Sequence, residues 1–159
     1  MDGYSEYMKI GMKIIDERDT SISNYVAIFD IDDTILNSHT NKNIESIYKL
    51  FQYVLENKIA VVFITAREGT EYVKKMTTEQ LKTVNIRGYD LLYFLPPYMK
   101  NNRKMASPES VEKYKYYARK NVKECGYTPL FSIGDMYWDV ESRWDKDNTY
   151  TGTPILLKK

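Results

Sequence analysis

The stretch Val26–Leu36, VAIFDIDDTIL, carries an apolar run directly into a burst of carboxylates. Val26 to Phe29 read as a strand buried at the centre of a sheet, since nothing polar interrupts them. Asp30, Asp32 and Asp33 follow at once, and Thr34 closes the burst before Ile35 and Leu36 resume the apolar pattern. The charge is either an acidic turn through which a strand leaves the core, or a set of oxygen ligands gathered around a cation. What the rest of the chain places beside it decides between the two.

Outward from this stretch, helix-like and strand-like segments alternate. Residues 4–17 carry Tyr4, Met8, Met12 and Ile15 at helical spacing and predict an amphipathic opening helix. Asn43 is placed to cap a helix running to about Asn57, whose apolar face includes Ile47, Leu50, Phe51 and Val54. Ile59–Thr65, IAVVFIT, is short, β-branched and without alternation, as a parallel strand covered on both faces reads. A helix over 70–84 and a strand over 89–95 follow. Residues 96–108, PPYMKNNRKMASP, have the prolines and polar residues of a loop. A helix over 109–123, a strand over 129–133, a short helix from about Asp139 and a final strand, PILLKK, complete the pattern.

Repeated β-α-β connections imply an α/β fold: a mostly parallel sheet between two layers of helices. No repeat, low-complexity tract or linker divides the 159 residues, so one domain over 1–159 is predicted, with residues 1–24 as a helical extension. A net charge of +1 carries no global basic field for nucleic acid or membrane surfaces. Cys125 is the single cysteine, which excludes an internal disulfide. No apolar run approaches the roughly 20 residues that span a bilayer. The charged opening segment lacks the pattern of a signal peptide, and a cytoplasmic protein is predicted.

In such sheets ligands sit beyond the carboxyl ends of the strands, near a switch in strand order. Three strand ends then meet: Asp30–Thr34, Thr65–Arg67 and Gly134–Asp139. Asp30 and Asp32, two apart, reach the same side of an extended exit, and a hard divalent cation such as Mg²⁺ offsets their repulsion. Asp30 is then placed as a nucleophile towards phosphorus and Asp32 as a general acid/base. Thr65 offers a hydroxyl for phosphate oxygens or, alternatively, caps a turn. Arg67 beside it either assists or makes a surface ion pair. Gly134 lets the backbone turn so that Asp135 reaches the sheet edge as a metal ligand. Asp139 orients the metal site through water or from behind it, or else serves as a first-turn acid of the next helix. The balancing cation comes from VEKYKYYARKNVK, where spacing alone does not choose among Lys113, Lys115, Arg119 and Lys120.

Together these residues resemble the haloacid dehalogenase superfamily of phosphohydrolases. Asp30, Asp32 and Thr34 meet its DxDxT pattern, Thr65 its second-motif hydroxyl, and Gly134, Asp135 and Asp139 its GDxxxD form. FDIDDTIL, FITAR and YKYYARK before GDMYWD look most like the subfamily IIIB acid phosphatases. The resemblance implies a Rossmann-like sheet of order 5-4-1-2-3. It implies Lys115 as the lysine that holds nucleophile and phosphate, and Mg²⁺ held by Asp30, the Asp32 backbone carbonyl and Asp135.

The spacings between motifs leave no room for a folded cap domain, only the 96–108 loop as a partial lid. Its Lys100, Arg103 and Lys104 can attract an anionic substrate, and Tyr98 can stack on a ring; an ordinary solvated loop is the alternative. The sequence thus predicts a Mg²⁺-dependent phosphomonoester hydrolase acting on nucleotides or other small phosphate esters. A nucleic-acid 3′-end phosphatase is a second reading, disfavoured by the lack of a basic, aromatic-interleaved stripe. A phosphate-binding or storage protein without turnover is a third. Oligomeric state is not legible.

Overall fold

The computed structural model describes residues 2–100 and 105–158. Its elements are α1 (Ser5–Asp16), β1 (Tyr25–Phe29), α2 (Glu45–Glu56), β2 (Ala60–Glu68), α3 (Glu71–Thr83), β3 (Leu91–Leu95), α4 (Pro108–Glu124), β4 (Thr128–Gly134) and β5 (Thr153–Leu156). Short 3₁₀ turns occupy Pro97–Lys100 and Tyr137–Asp139. The five strands form one sheet in the order β3-β2-β1-β4-β5, and every pairing is parallel. This is the predicted α/β fold with its predicted strand order, counted from the other edge.

The pleat explains why the central strands show no alternation. Ala27 and Phe29 of β1 join Val61, Phe63, Phe131 and Ile133 in a core closed by Ile15, Leu50, Phe51 and Leu81 from α1, α2 and α3. Val26 and Ile28 point the other way, with Val62 and Ile64, into a core closed by Tyr114, Ala118 and Val122 of α4. Both faces are therefore dry, and apolar residues occupy every position. Phe29 sits among Phe51, Phe63 and Phe131, with ring centroids 5.8–6.2 Å apart.

Two local expectations are corrected. Asn43 does not cap α2: its amide donates to the Val84 carbonyl, and Ile44, at the cap position, has no side-chain acceptor. The Asp2 carboxylate takes that place, accepting the Ser46 N–H at 2.7 Å and the Ser46 hydroxyl at 2.8 Å. No helix starts at Asp139; a 3₁₀ turn ends there, and turns carry the chain to β5. Asp145 shows why, since its carboxylate accepts the N–H groups of Thr149 and Tyr150 and so competes with helical bonding. Among the described residues, no helix is long and apolar enough to cross a membrane.

Candidate active site

Register brings the three predicted strand ends together. Phe29 of β1 lies opposite Phe63 of β2 and Ile133 of β4. The next residues, Asp30, Ile64 and Gly134, therefore stand side by side at the carboxyl edge, where the chain crosses from the β2–β3 half of the sheet to β4. The Asp30 N–H extends the ladder to the Ile133 carbonyl at 3.0 Å. Pleat parity puts Asp30 on the same face as Val26 and Ile28, the face that α4 covers.

Helix α4 meets that edge with two buried stripes. Val111, Tyr114, Ala118 and Val122 form an apolar one, and Glu112, Lys115 and Arg119 a polar one beside it. The Lys115 ammonium, 2% exposed, donates to Asp30 Oδ1 at 2.8 Å, to the Ile64 carbonyl at 3.0 Å and to Asp139 Oδ1. Lys113 is exposed and Lys120 half-buried, so of the three lysines it is Lys115 that lies buried against Asp30. Asp30 Oδ2 accepts the buried Thr34 hydroxyl at 3.1 Å. Thr34 thus does more than shape its turn.

Asp139 has both oxygens committed, one to Lys115 and the other to the Met136 N–H. Gly134 makes this possible, because any Cβ there would overlap the Asp139 side chain. Thr65 is buried; its hydroxyl oxygen accepts the Arg67 N–H at 3.1 Å, and its carbonyl accepts the Tyr114 hydroxyl at 2.7 Å.

Asp30 and Asp32 do not share a direction, as an extended exit had predicted. After Asp30 the chain turns tightly, with the N–H groups of Ile35 and Leu36 both donating to the Ile31 carbonyl. The Asp32 carboxylate is gripped by Arg67, through Nε at 2.9 Å and Nη2 at 2.8 Å. Arg67 Nη1 in turn holds Thr77 and Gln80 of α3. Asp33, to which the sequence gave no role, adopts a left-handed conformation (φ 58°) and accepts the Ser38 N–H and hydroxyl, which closes the turn.

The carboxylates crowd one another at this edge. Burial and the neighbouring Asp139 push the Asp30 carboxyl up to about 6 against the pull of Lys115. Burial and Asp30 push Asp135 up to about 7. Lys115 stays charged: burial disfavours its ammonium, but Asp139 and Asp30 outweigh it and raise it. Asp30, Asp135 and Asp139 can bring one oxygen each within 4.8 Å of one another. An all-carboxylate, partly accessible donor set of this kind fits a hard divalent cation. Both oxygens of Asp139 already accept, from Lys115 and the Met136 N–H, and both of Asp30 accept from Lys115 and Thr34, so an ion there would share them.

The 96–108 loop is less decisive. Tyr98 is 76% exposed beyond β3, and Lys100 is ion-paired with Glu68 at 2.9 Å. Arg103 and Lys104 lie outside the described residues. Sequence reasoning missed Glu112 and Tyr114, and did not single out Arg119; the i, i+3, i+7 spacing of Glu112, Lys115 and Arg119 was the available signal.

No curated protein matches the sequence. Residues 37–154 match the family described as HAD superfamily, subfamily IIIB (Acid phosphatase). That stretch includes Thr65, Lys115, Asp135 and Asp139, while Asp30 and Asp32 precede it and join the site through the geometry above. The match spans most of the chain, which therefore belongs to HAD superfamily subfamily IIIB and is a phosphatase.

Proposed function

We propose that this phosphatase hydrolyses phosphomonoesters of nucleotides or other small molecules through a phosphorylated Asp30, with Mg²⁺ at the carboxylate cluster. The observation that carries the reading is the buried Lys115 ammonium, bonded at once to Asp30, to Asp139 and to the Ile64 carbonyl of β2. A buried lysine is costly to keep charged, and two carboxylates from separate strand ends hold it so. A tetrahedral dianion set between Lys115, the Thr65 hydroxyl and nearby backbone N–H groups would meet donors on one side and the Asp30 carboxylate on the other.

Asp30 attacks phosphorus and forms the new P–O bond as the bond to the leaving oxygen breaks. Asp32 supplies the proton to that oxygen, then takes one from the water that attacks phosphorus and releases inorganic phosphate and free Asp30. The guanidinium of Arg67 holds both oxygens of Asp32 and so fixes where that side chain rests. For the first half Arg67 must loosen, and an incoming phosphate is a competing partner for its guanidinium. Asp30, Asp135 and the Asp32 backbone carbonyl would hold Mg²⁺, with Asp139 behind them through water. Bound there, the ion offsets the charge that gathers on the phosphoryl oxygens.

Purified protein should hydrolyse p-nitrophenyl phosphate and members of a nucleoside monophosphate panel with Mg²⁺, and stop on chelation. Failure on the whole panel would sink the reading. A 3′-phosphorylated oligonucleotide in the same panel, preferred at low salt and lost at high salt, would shift the substrate class to nucleic-acid ends.

A further inference from the structure

Among the described residues Arg119 is the largest fully buried side chain, and its hydrogen bonds go to backbone carbonyls. Its Nη1 donates to the Trp138 carbonyl at 2.8 Å and its Nη2 to the Glu141 carbonyl at 3.3 Å. Its Nε is one of two buried side-chain polar atoms without a partner among the described residues. Burial lowers its pKa to about 10, which leaves it a cation at neutral pH. Asp139, Asp145 and Glu112 offset part of that cost from a distance, yet an apolar side chain of similar length would fill the space without desolvating a charge.

The two carbonyls it holds flank Asp139. One turn earlier on α4, Lys115 holds the Asp139 carboxylate. Helix α4 therefore grips this residue twice: Lys115 takes the side chain, and Arg119 takes the backbone on either side. The 3₁₀ turn Tyr137–Asp139 is too short to fix itself, and the chain after it has no helix to continue into. Trp138 and Glu141 reach Arg119 as the turn ends, and the fork of the guanidinium spans them as one ammonium would not.

We infer that Arg119 is a positioning residue for the phosphatase reaction: by clamping the backbone around Asp139 it keeps that carboxylate on Lys115, and so keeps the Lys115 ammonium on Asp30. This rests on the reading of Asp30 and Lys115 given above. Lys115 adjusts its contact as charge builds on phosphate, so losing the clamp lowers turnover more than substrate binding.

The test compares Arg119→Met, Arg119→Lys, Val122→Ala and Asp30→Asn with the native chain, using p-nitrophenyl phosphate with Mg²⁺ and thermal melts. Val122 is buried on the same helix, in its apolar stripe against the sheet. Arg119→Met should lower kcat by about 100-fold, the scale of a small misplacement at a reacting centre, with KM within about threefold. Arg119→Lys keeps the charge but not the fork and should fall between Met and native. Val122→Ala should lose melting temperature while keeping kcat, which separates general loosening from loss of position. Native kcat in folded Arg119→Met or folded Arg119→Lys overturns the inference, as does an equal loss of kcat in Val122→Ala. If Arg119→Met does not fold, Arg119→Lys decides alone, with a lowered kcat at native KM in support. Full turnover by Asp30→Asn, or none by the native chain, instead overturns the reading beneath, so the two failures are told apart.

Discussion

Gly134 sets the tolerance of the site at the scale of one residue. It ends β4 with the Asp139 side chain pressed against its Cα, in space that any Cβ would take. Gly134→Ala should displace Asp139 and, through it, Lys115. Turnover should fall at least about tenfold, and stability by about 1–3 kcal/mol as for other overpacked sites. Steady-state kinetics and urea unfolding of the same preparation check both. Asp30→Asn keeps the shape and removes the proposed nucleophile, so loss of activity should exceed about a thousand-fold. It also removes a carboxylate from a crowded buried cluster, so its melting temperature should not fall with activity. These residues were legible in the sequence because each ends an apolar run. Lys115 was not legible from the residues alone, since Lys113, Lys115 and Lys120 share one helix and only its packing tells them apart. Arg67 was visible, but not its grip on Asp32, which depends on a turn that sends two carboxylates of one motif in different directions.

Among the elements, α2 shows best what local pattern reading cannot reach. Its apolar face was evident, and its first turn was assigned to Asn43 because capping is read from the residue just before the helix. The acceptor that serves it lies 44 positions away, in Asp2, and no local pattern encodes so distant a partner. Asp2→Ala should cost about 1 kcal/mol, the usual worth of a cap, with kcat unchanged. Ser46→Ala removes the hydroxyl half of the same contact. The double variant should therefore cost less than the sum of the two single ones, a coupling readable by urea unfolding. The buried strands were legible for the opposite reason, since burial on both faces writes itself into every residue of VAIF and IAVVFIT. The chain after Asp139 was misread as helical because its turns are held by Asp145 accepting from Thr149 and Tyr150, a contact that competes with helix only once the loop has closed.

Across the whole molecule, the segment between Asp139 and β5 is tied back to α4 by Glu112 as well as by Arg119. The Glu112 carboxylate, 2% exposed, accepts the Arg143 N–H at 2.9 Å, the Arg143 guanidinium at 3.1 Å and the Tyr137 hydroxyl at 2.8 Å. Burial pushes this carboxyl up, but the bonds from Arg143 and Tyr137 outweigh it, and the net shift is below the ordinary glutamate value of 4.5. A carboxyl lowered by folding holds fewer protons in the native state than in the unfolded one. Its contribution to stability is therefore complete above about pH 4.5 and is lost as pH falls through the lowered native value. Protonated, Glu112 loses acceptor capacity and the charge that holds Arg143, so the bonds from Arg143 and Tyr137 weaken. The share of the melting temperature that Glu112 supplies, read as the difference between the native protein and Glu112→Gln, should thus hold from neutral pH to about 4.5 and shrink below it. Glu112→Gln keeps the shape but cannot titrate, so it should start lower and fall less over the same range. Equal slopes for the two proteins between pH 5 and 3 would show that acid acts elsewhere. A steeper fall for Glu112→Gln would mean that the tie between α4 and the segment after Asp139 is not held by charge.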